Sequence, residues 1–307
     1  MTSSAPAAYT EIMNWFIPAV AGIFGAVLGS FANVAIYRLP RENLSVNKPK
    51  LSFCPKCGKQ IAWHDNIPVL SYILLAGKCR NCKAGISPRY PLVEILCALL
   101  FVMCAYYFAL PGKWVEFGIA AAFCLSMVII TFIDIDFRII PDVIDKPGMA
   151  LAPLLSFAAP GLHLSAFTEL LSWFGVEWQL SGPFTLADRG LAVASSLLGI
   201  AVGAGLTYGV GVVGKAVFKK EAMGFGDVKL MGMIGGILGW QAVILTFFLG
   251  SVIGAVIGVT LMLISRRKDP HIAFGPFLAA AAVLVLFYQP QIRHFILVTY
   301  PKWLAGV

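Results

Sequence analysis

The sequence predicts an all-α polytopic membrane protein of about eight transmembrane helices, and three observations lead there. Of its 307 residues, 59% are hydrophobic and 12% charged, and the mean hydropathy is +0.84. An ordinary soluble domain carries about 25% charged side chains, so a soluble enzyme is excluded: too few polar groups exist to cover a water-facing surface. The apolar residues fall in seven charge-free runs, at 12–37, 95–112, 117–133, 147–168, 190–214, 230–265 and 272–292. The basic residues collect in one segment, 38–90, where ten Lys and Arg stand against Glu42 and Asp65 and account for the whole net charge of +8.

A helix needs about 20 apolar residues to cross a bilayer, and each run supplies roughly that number. The first 37 residues hold no Lys or Arg, so the basic start of a secretory signal peptide is missing and run 12–37 reads as the first helix. The basic segment after it belongs inside by the positive-inside rule, which puts the N-terminus outside. We read this charge as a topology signal and expect membrane lipid around the chain and no nucleic-acid partner. Lys215, Lys220 and the basic residues at 266–268 also fall inside; 160–188, with Glu169, Glu177 and Asp188 and no Lys or Arg, falls outside. Run 230–265 is too long for one span. Gly235, Gly236, Gly239 and Trp240 mark a turn between two short helices there, a use glycine often has, and this brings the spans to eight.

The basic segment contains Cys54-Pro-Lys-Cys57 and, after 21 residues, Cys79-Arg-Asn-Cys82, with Gly58 and Ala84 soon after the respective hooks. Two such hooks resemble paired zinc-ribbon knuckles. Four thiolates close a tetrahedral site and leave no open position for a catalytic water, so the expected metal is a structural Zn²⁺; a reducing interior disfavours disulfides instead. Cys97, Cys104 and Cys124 lie in spans and read as small buried apolar residues. The expected division is therefore a first helix at 1–37, a small zinc-binding cytoplasmic domain at 38–90, and seven helices at 91–307. Arg89 and Glu94 flank Pro91 at the entry to the second span, where Arg, Tyr and Pro suit an interface anchor.

Small residues four apart recur in the spans: Gly25 with Gly29, Gly199 with Gly203, Gly205 with Gly209, and Gly250 and Gly254 with Gly258. Such rows let helix backbones approach closely in lipid and imply a compact bundle, with a homodimer interface as the second reading.

The chemistry concentrates in carboxylates at the ends of spans. Asp134 and Asp136 close the third span, Asp142 follows Pro141, and Asp227 precedes the sixth after Gly224-Phe-Gly226. An odd-numbered span ends on the face from which the next even-numbered one begins, so Asp134 and Asp227 share a face whichever way the chain is inserted. Two carboxylates that meet do not readily both ionise; one serves as acid and the other as base. The same acids also suit an ion pathway, and Asp227 alone suits a helix N-terminus.

Gly224-Phe-Gly-Asp227 looks like the GxGD signature of intramembrane aspartyl proteases, and the chain as a whole resembles the type IV prepilin peptidases. The matching pieces run in family order: Gly29-Ser-Phe-Ala-Asn-Val-Ala-Ile-Tyr-Arg-Leu-Pro40, the two Cys hooks, Ile86-Ser-Pro-Arg-Tyr-Pro-Leu-Val-Glu94, Ile133-Asp-Ile-Asp-Phe-Arg-Ile-Ile-Pro-Asp142 and Gly224-Phe-Gly-Asp-Val-Lys-Leu230. The resemblance implies a bacterial inner-membrane enzyme, with both termini periplasmic and its active site on the cytoplasmic side. Such an enzyme cuts the basic leader from type IV prepilins or type II secretion pseudopilins and methylates the new N-terminus from S-adenosylmethionine. It implies Asp134 and Asp227 as catalytic, with Asp136, Gly224, Gly226 and Lys229 in support. Two helical positions are about 200° apart, so only one of Asp134 and Asp136 faces Asp227. Methyl transfer falls to the first loop, with Arg89 and Glu94 as contributors, although Ala98 stands where relatives often have Gly. Asp136, Asp142, Asp145 and Glu221 form an acidic exit expected to attract the basic leader. The alternatives are an ion-coupled transporter using the same acids and a zinc-ribbon scaffold. A zinc metalloprotease finds no His-Glu-x-x-His, since His64, His163, His271 and His294 are scattered.

Overall fold

The computed structural model describes residues 15–41, 44–46, 52–109, 113–163, 184–219, 223–265 and 273–295. Glu42, Glu169, Glu177, Lys220, Glu221, the basic residues at 266–268 and His271 lie outside the described residues. Eight helices follow the eight expected segments in order: α1 Ile17–Arg38, α3 Arg89–Phe108, α4 Trp114–Phe137, α5 Asp142–Ala158, α6 Leu186–Phe218, α7 Phe225–Leu238, α8 Trp240–Ser265 and α9 Gly275–His294. A 3-10 turn, Trp63–Asn66, and a short α2, Leu70–Leu74, lie between α1 and α3. Among the described residues the β features are two isolated bridges.

Five of these helices, α1, α3, α4, α6 and α8, are long and apolar enough to cross a membrane. α5 has 17 residues with Pro147 and Pro153 inside it, α7 has 14, and the apolar part of α9 is Gly275–Gln289. The all-helical membrane class holds, with five helices of full crossing length among the described residues.

Packing divides the chain into two compact units after Phe137. In the first, α1 lies on α3 through the expected small residues. A Cβ on Gly25 would stand 2.7 Å from the Cys97 carbonyl oxygen, and one on Gly29 would stand 2.8 Å from the Glu94 Cα. The Asn33 amide donates to the Tyr90 carbonyl at 3.0 Å farther along the same seam. Cys97, Cys104 and Cys124 are buried, and the sulfurs of Cys104 and Cys124 approach to 3.8 Å between α3 and α4.

In the second unit α7 is the core. Leu230, Met231, Met233 and Ile234 are completely or almost completely enclosed, with α5, α6, α8 and α9 packed against that helix. A Cβ on Gly199 would collide with the Gly235 carbonyl, and one on Gly203 with the Met231 carbonyl, so α6 and α7 run backbone to backbone. Gly250 and Gly254 of α8 similarly admit Leu278 and Phe277 of α9 at 3.0 Å. Gly205 and Gly209 differ: a Cβ at either meets nothing within 4 Å. The break after α7 falls at Gly239, whose φ of 91° disfavours any side chain. Gly235 and Gly236, expected in that turn, instead sit inside α7 as contact points for α6 and α5. The two helices are also unequal, 14 and 26 residues. Apolar side chains such as Phe248, Val256 and Leu263 cover the outside of α8, the surface a lipid-facing helix presents.

Gly199→Val is expected to force α6 off α7 and cost about 1–3 kcal/mol or more, as overpacking does. It should lower the melting temperature of the detergent-solubilised protein, whereas Gly205→Val should leave it in place.

Candidate functional site

The two cysteine hooks repeat with an offset of 25 positions, Cys54 and Cys57 recurring as Cys79 and Cys82. In the first, the Cys54 N–H donates to the Lys59 carbonyl and the Gly58 N–H to the Cys54 carbonyl, both at 2.9 Å. In the second, the Cys79 N–H donates to Ala84 at 2.8 Å and the Lys83 N–H to Cys79 at 3.0 Å. Bridges Phe53–Gln60 and Lys78–Gly85 close both hooks. Each turn demands one left-handed residue, Gly58 at φ 68° and Lys83 at φ 57°; the strained place in the second hook thus falls on Lys83 and not on Ala84, at a cost of about 1 kcal/mol. All four sulfurs lie within 4.8 Å of one another. Tetrahedral thiolate ligands with bonds of about 2.3 Å stand about 3.8 Å apart, so the cage fits one metal ion. The backbone N–H groups of Cys82 and Asn81 draw the Cys79 thiol down to about 7, towards the thiolate a metal needs. Arg80 clasps Asp65 through two bonds of 2.7 and 2.6 Å and holds that carboxyl below its usual range.

Between this segment, the end of α1 and the start of α3 lies a cavity of about 690 Å³, lined in part by Asn33, Tyr37, Arg38, Tyr72, Tyr90 and Glu94. Glu94 is buried and accepts the Val69 N–H at 2.7 Å and the Ser30 hydroxyl. Val69 has φ 61°, a strained conformation for a β-branched residue, so the carboxylate fixes a loop that would otherwise relax. Arg89 goes elsewhere. Its guanidinium pairs with Asp136, donates to the Phe132 carbonyl at 3.2 Å and stacks on the Phe132 ring at 4.8 Å. The two residues expected to act together are five positions apart on α3, about 140° around its axis, and they serve different places.

Because α4 stays helical to Phe137, Asp134 is buried while the Asp136 side chain keeps 35% of its exposure and takes Arg89 as partner. Asp227 is buried in the first turn of α7. Its carboxylate accepts the Gly224 N–H at 3.3 Å, and its own N–H donates to the Gly224 carbonyl at 3.1 Å. Gly226 brings this turn against Ile140, whose Cβ would stand 3.2 Å from an added Cβ. Lys229 pairs with Asp142 and lies over the Phe225 ring at 5.4 Å. Lys146 reaches the same carboxylate at 2.7 Å, and the two ammonium groups, Lys146 more strongly, hold Asp142 below the usual carboxylate range.

The acids of the expected exit have different surroundings. Asp136 and Asp142 are paired, Glu221 lies outside the described residues, and Asp145 has no exposed surface. Asp145 is the residue that sequence reasoning misplaced: both its carboxylate oxygens are buried without a hydrogen-bond partner. In the sequence it read as one of the acids of that exit.

Compared with known proteins, residues 23–108 match the Bacterial Peptidase A24 N-terminal domain and residues 121–259 match the Type IV leader peptidase family. The chain is 33% identical over 313 residues to the prepilin leader peptidase/N-methyltransferase of Aeromonas salmonicida (strain A449), covering 94% of this chain and 96% of that protein. It is 34% identical to the protein of that name in Pseudomonas aeruginosa, covering 89% and 90%, and 31% identical to that of Neisseria gonorrhoeae, covering 90% and 92%. No solved structure matches the chain.

Substituting Co²⁺ into the purified protein is expected to give the thiolate charge-transfer and visible bands of a tetrahedral sulfur site, with one ion per chain. Cys79→Ser should lose both the bands and the stoichiometry.

Proposed function

The chain belongs to the type IV leader peptidase family, and from that premise we propose that it removes the basic leader of type IV prepilins or type II secretion pseudopilins with Asp134 and Asp227 as its two catalytic carboxylates. The observation that carries this reading is the burial of one aspartate at the last turn of α4 and of another at the first turn of α7 behind Gly224-Phe-Gly226. One carboxylate takes a proton from water as its oxygen adds to the scissile carbonyl. The other gives a proton to the departing nitrogen as the C–N bond breaks. The net reaction consumes one water and leaves a carboxylate on the leader and an amine on the mature chain. The excess of basic residues at 38–90 favours placing that segment, and the ends of α4 and start of α7 with it, on the cytoplasmic side of the inner membrane, with both termini periplasmic.

The same reading gives the first unit the methylation step. Its cavity of about 690 Å³ is within the range of small-molecule sites and fits S-adenosylmethionine, which supplies an electrophilic methyl group when bound. Tyr37 and Tyr90 offer aromatic faces to an adenine or a sulfonium, and the buried Glu94 carboxylate binds and orients the new amine. The four cysteines hold a structural Zn²⁺ that fixes the wall of this cavity, since Cys54 and Cys79 line it.

Mass spectrometry of a prepilin incubated with the enzyme tests both halves. Wild type is expected to remove the leader and, with S-adenosylmethionine present, to add one methyl group. Asp134→Asn and Asp227→Asn should each lower cleavage by about 10³-fold or more, and an uncut prepilin with folded wild type would refute the peptidase reading. Glu94→Gln keeps an acceptor for the Val69 N–H but removes the charge; it should cleave normally and lose methylation, with S-adenosylmethionine binding by calorimetry retained.

A further inference from the structure

We infer that Arg89 is a positioning residue of the peptidase reaction: it braces the last turn of α4 from behind and so holds Asp134 at the reacting face. The inference deepens the reading of Asp134 as catalytic and rests on it. It also takes Arg89 out of methyl transfer, the role the resemblance implied.

Arg89 is poorly placed for its own helix. A cation in the first turn of α3 meets the positive end of that helix's dipole. Its guanidinium reaches instead the opposite pole of α4, where a cation is favoured. There α4 stops at Phe137, and Arg138 turns left-handed at φ 55°. The hydrogen-bond ladder runs out in this turn, so side chains decide how firmly it is held.

Three contacts fix the guanidinium on α4. One nitrogen pairs with the Asp136 carboxylate, a second donates to the Phe132 carbonyl at 3.2 Å, and the plane lies over the Phe132 ring at 4.8 Å. The Arg89 and Asp136 side chains keep 29% and 35% of their exposure, so the ion pair alone holds little. Together the contacts use both the fork and the flat face of one guanidinium, a combination lysine lacks.

Helical spacing turns these contacts into an orientation. Phe132 and Asp136 are four positions apart, about 40° around the axis, and Asp134 lies about 180° from the middle of that pair. Arg89 thus grips the face of α4 behind Asp134, which is itself buried. A second cation holds the adjoining residue. Arg41 stacks on Phe137 at 5.1 Å and on Tyr37 at 4.0 Å, and donates to the Tyr37 carbonyl. One arginine therefore ties the end of α4 to α3 and another ties it to α1, all within the first unit. The cavity of that unit draws on other positions: Tyr90, Pro91 and Glu94 line it, whereas Arg89, Phe132 and Asp136 are not among its described lining residues.

The test is steady-state cleavage of a prepilin by the full-length enzyme in detergent, with kcat and KM resolved, for wild type, Arg89→Gln, Asp136→Asn and the double variant. The same preparations are assayed for methylation of a leaderless pilin from S-adenosylmethionine, and Asp134→Asn runs alongside. A reacting group misplaced by about 1 Å costs on the order of 10²-fold in rate. Arg89→Gln is accordingly expected to lower kcat by about 10–100-fold, with KM unchanged and the leaderless pilin methylated as by wild type. Asp136→Asn should lower kcat less, because the Phe132 contacts remain. The double variant should be no slower than Arg89→Gln, since a shared brace is lost only once.

Normal kcat in Arg89→Gln would overturn the proposal. A raised KM at unchanged kcat would also overturn it, by making Arg89 a substrate contact. Loss of methylation, with or without loss of cleavage, would do the same, by making Arg89 a residue of the methylation site or of the fold as a whole. Losses that multiply in the double variant would overturn the shared brace. Retained cleavage by Asp134→Asn would instead remove the reading on which the proposal stands.

Discussion

The second unit depends on the enclosure of α7. Fourteen residues rise about 21 Å, less than the roughly 30 Å of a bilayer core, so the ends of this helix bring backbone polar groups to a depth where lipid offers no partner. The chain meets that constraint by surrounding α7 with helices. Gly199 and Gly203 let α6 lie against its backbone, and Gly236 admits Ala152 of α5 and Ile200 of α6. Every contact that shortens the distance between axes also fixes the start of α7, and with it the carboxylate of Asp227. A helix N-terminus is where an anion is best tolerated, so the structural requirement and the chemical one fall on the same residue.

The first unit is held by a different device, a carboxylate tying a strained loop to a membrane helix. Glu94 on α3 takes the N–H of Val69, and this joins the segment between the cysteine hooks to the bundle. The bidentate Asp65–Arg80 pair joins that segment to the second hook. Cysteine cage, loop and helix therefore form one connected frame around the cavity. A group such as Glu94 can hold its loop and still face a ligand because a carboxylate accepts up to about four hydrogen bonds.

Much of this was legible in the sequence, for reasons that differ by residue. Charge-free runs located all eight helices because the cost of a charge in lipid is large and local. The cysteine cage followed from spacing, since a metal admits few arrangements. The separate fates of Asp134 and Asp136 followed from 100° per residue. Glycine was ambiguous: Gly235 and Gly236 were read as a turn, yet the missing Cβ serves close packing equally well, and only a partner helix distinguishes the uses. A charge-free run also does not reveal that its helix is short and wrapped by protein, as α7 is. The pairing of Arg89 with Asp136 and the burial of Asp145 against α7 were invisible for one common reason. Each depends on residues from different helices, 47 positions apart in the first case, and nothing in a linear pattern records which helix faces meet.

Under the proposed function, chemistry fixes the order of the two reactions. Before cleavage the nitrogen to be methylated belongs to a peptide bond, its lone pair delocalised into the carbonyl, and it is no nucleophile. The methylation site in the first unit therefore acts only on the product of the aspartates. That product is an α-amino group with an unperturbed pKa near 7.7–8.0, so about a tenth of it is neutral at pH 7. An acidic side chain next to it stabilises the ammonium and captures the product, yet methylation requires the proton to leave. Glu94, already accepting the Val69 N–H and the Ser30 hydroxyl, has part of its charge spent on the protein itself. It is thereby suited to orient an amine without binding the ammonium too firmly, and the strained Val69 turn is a structural counterpart of that balance.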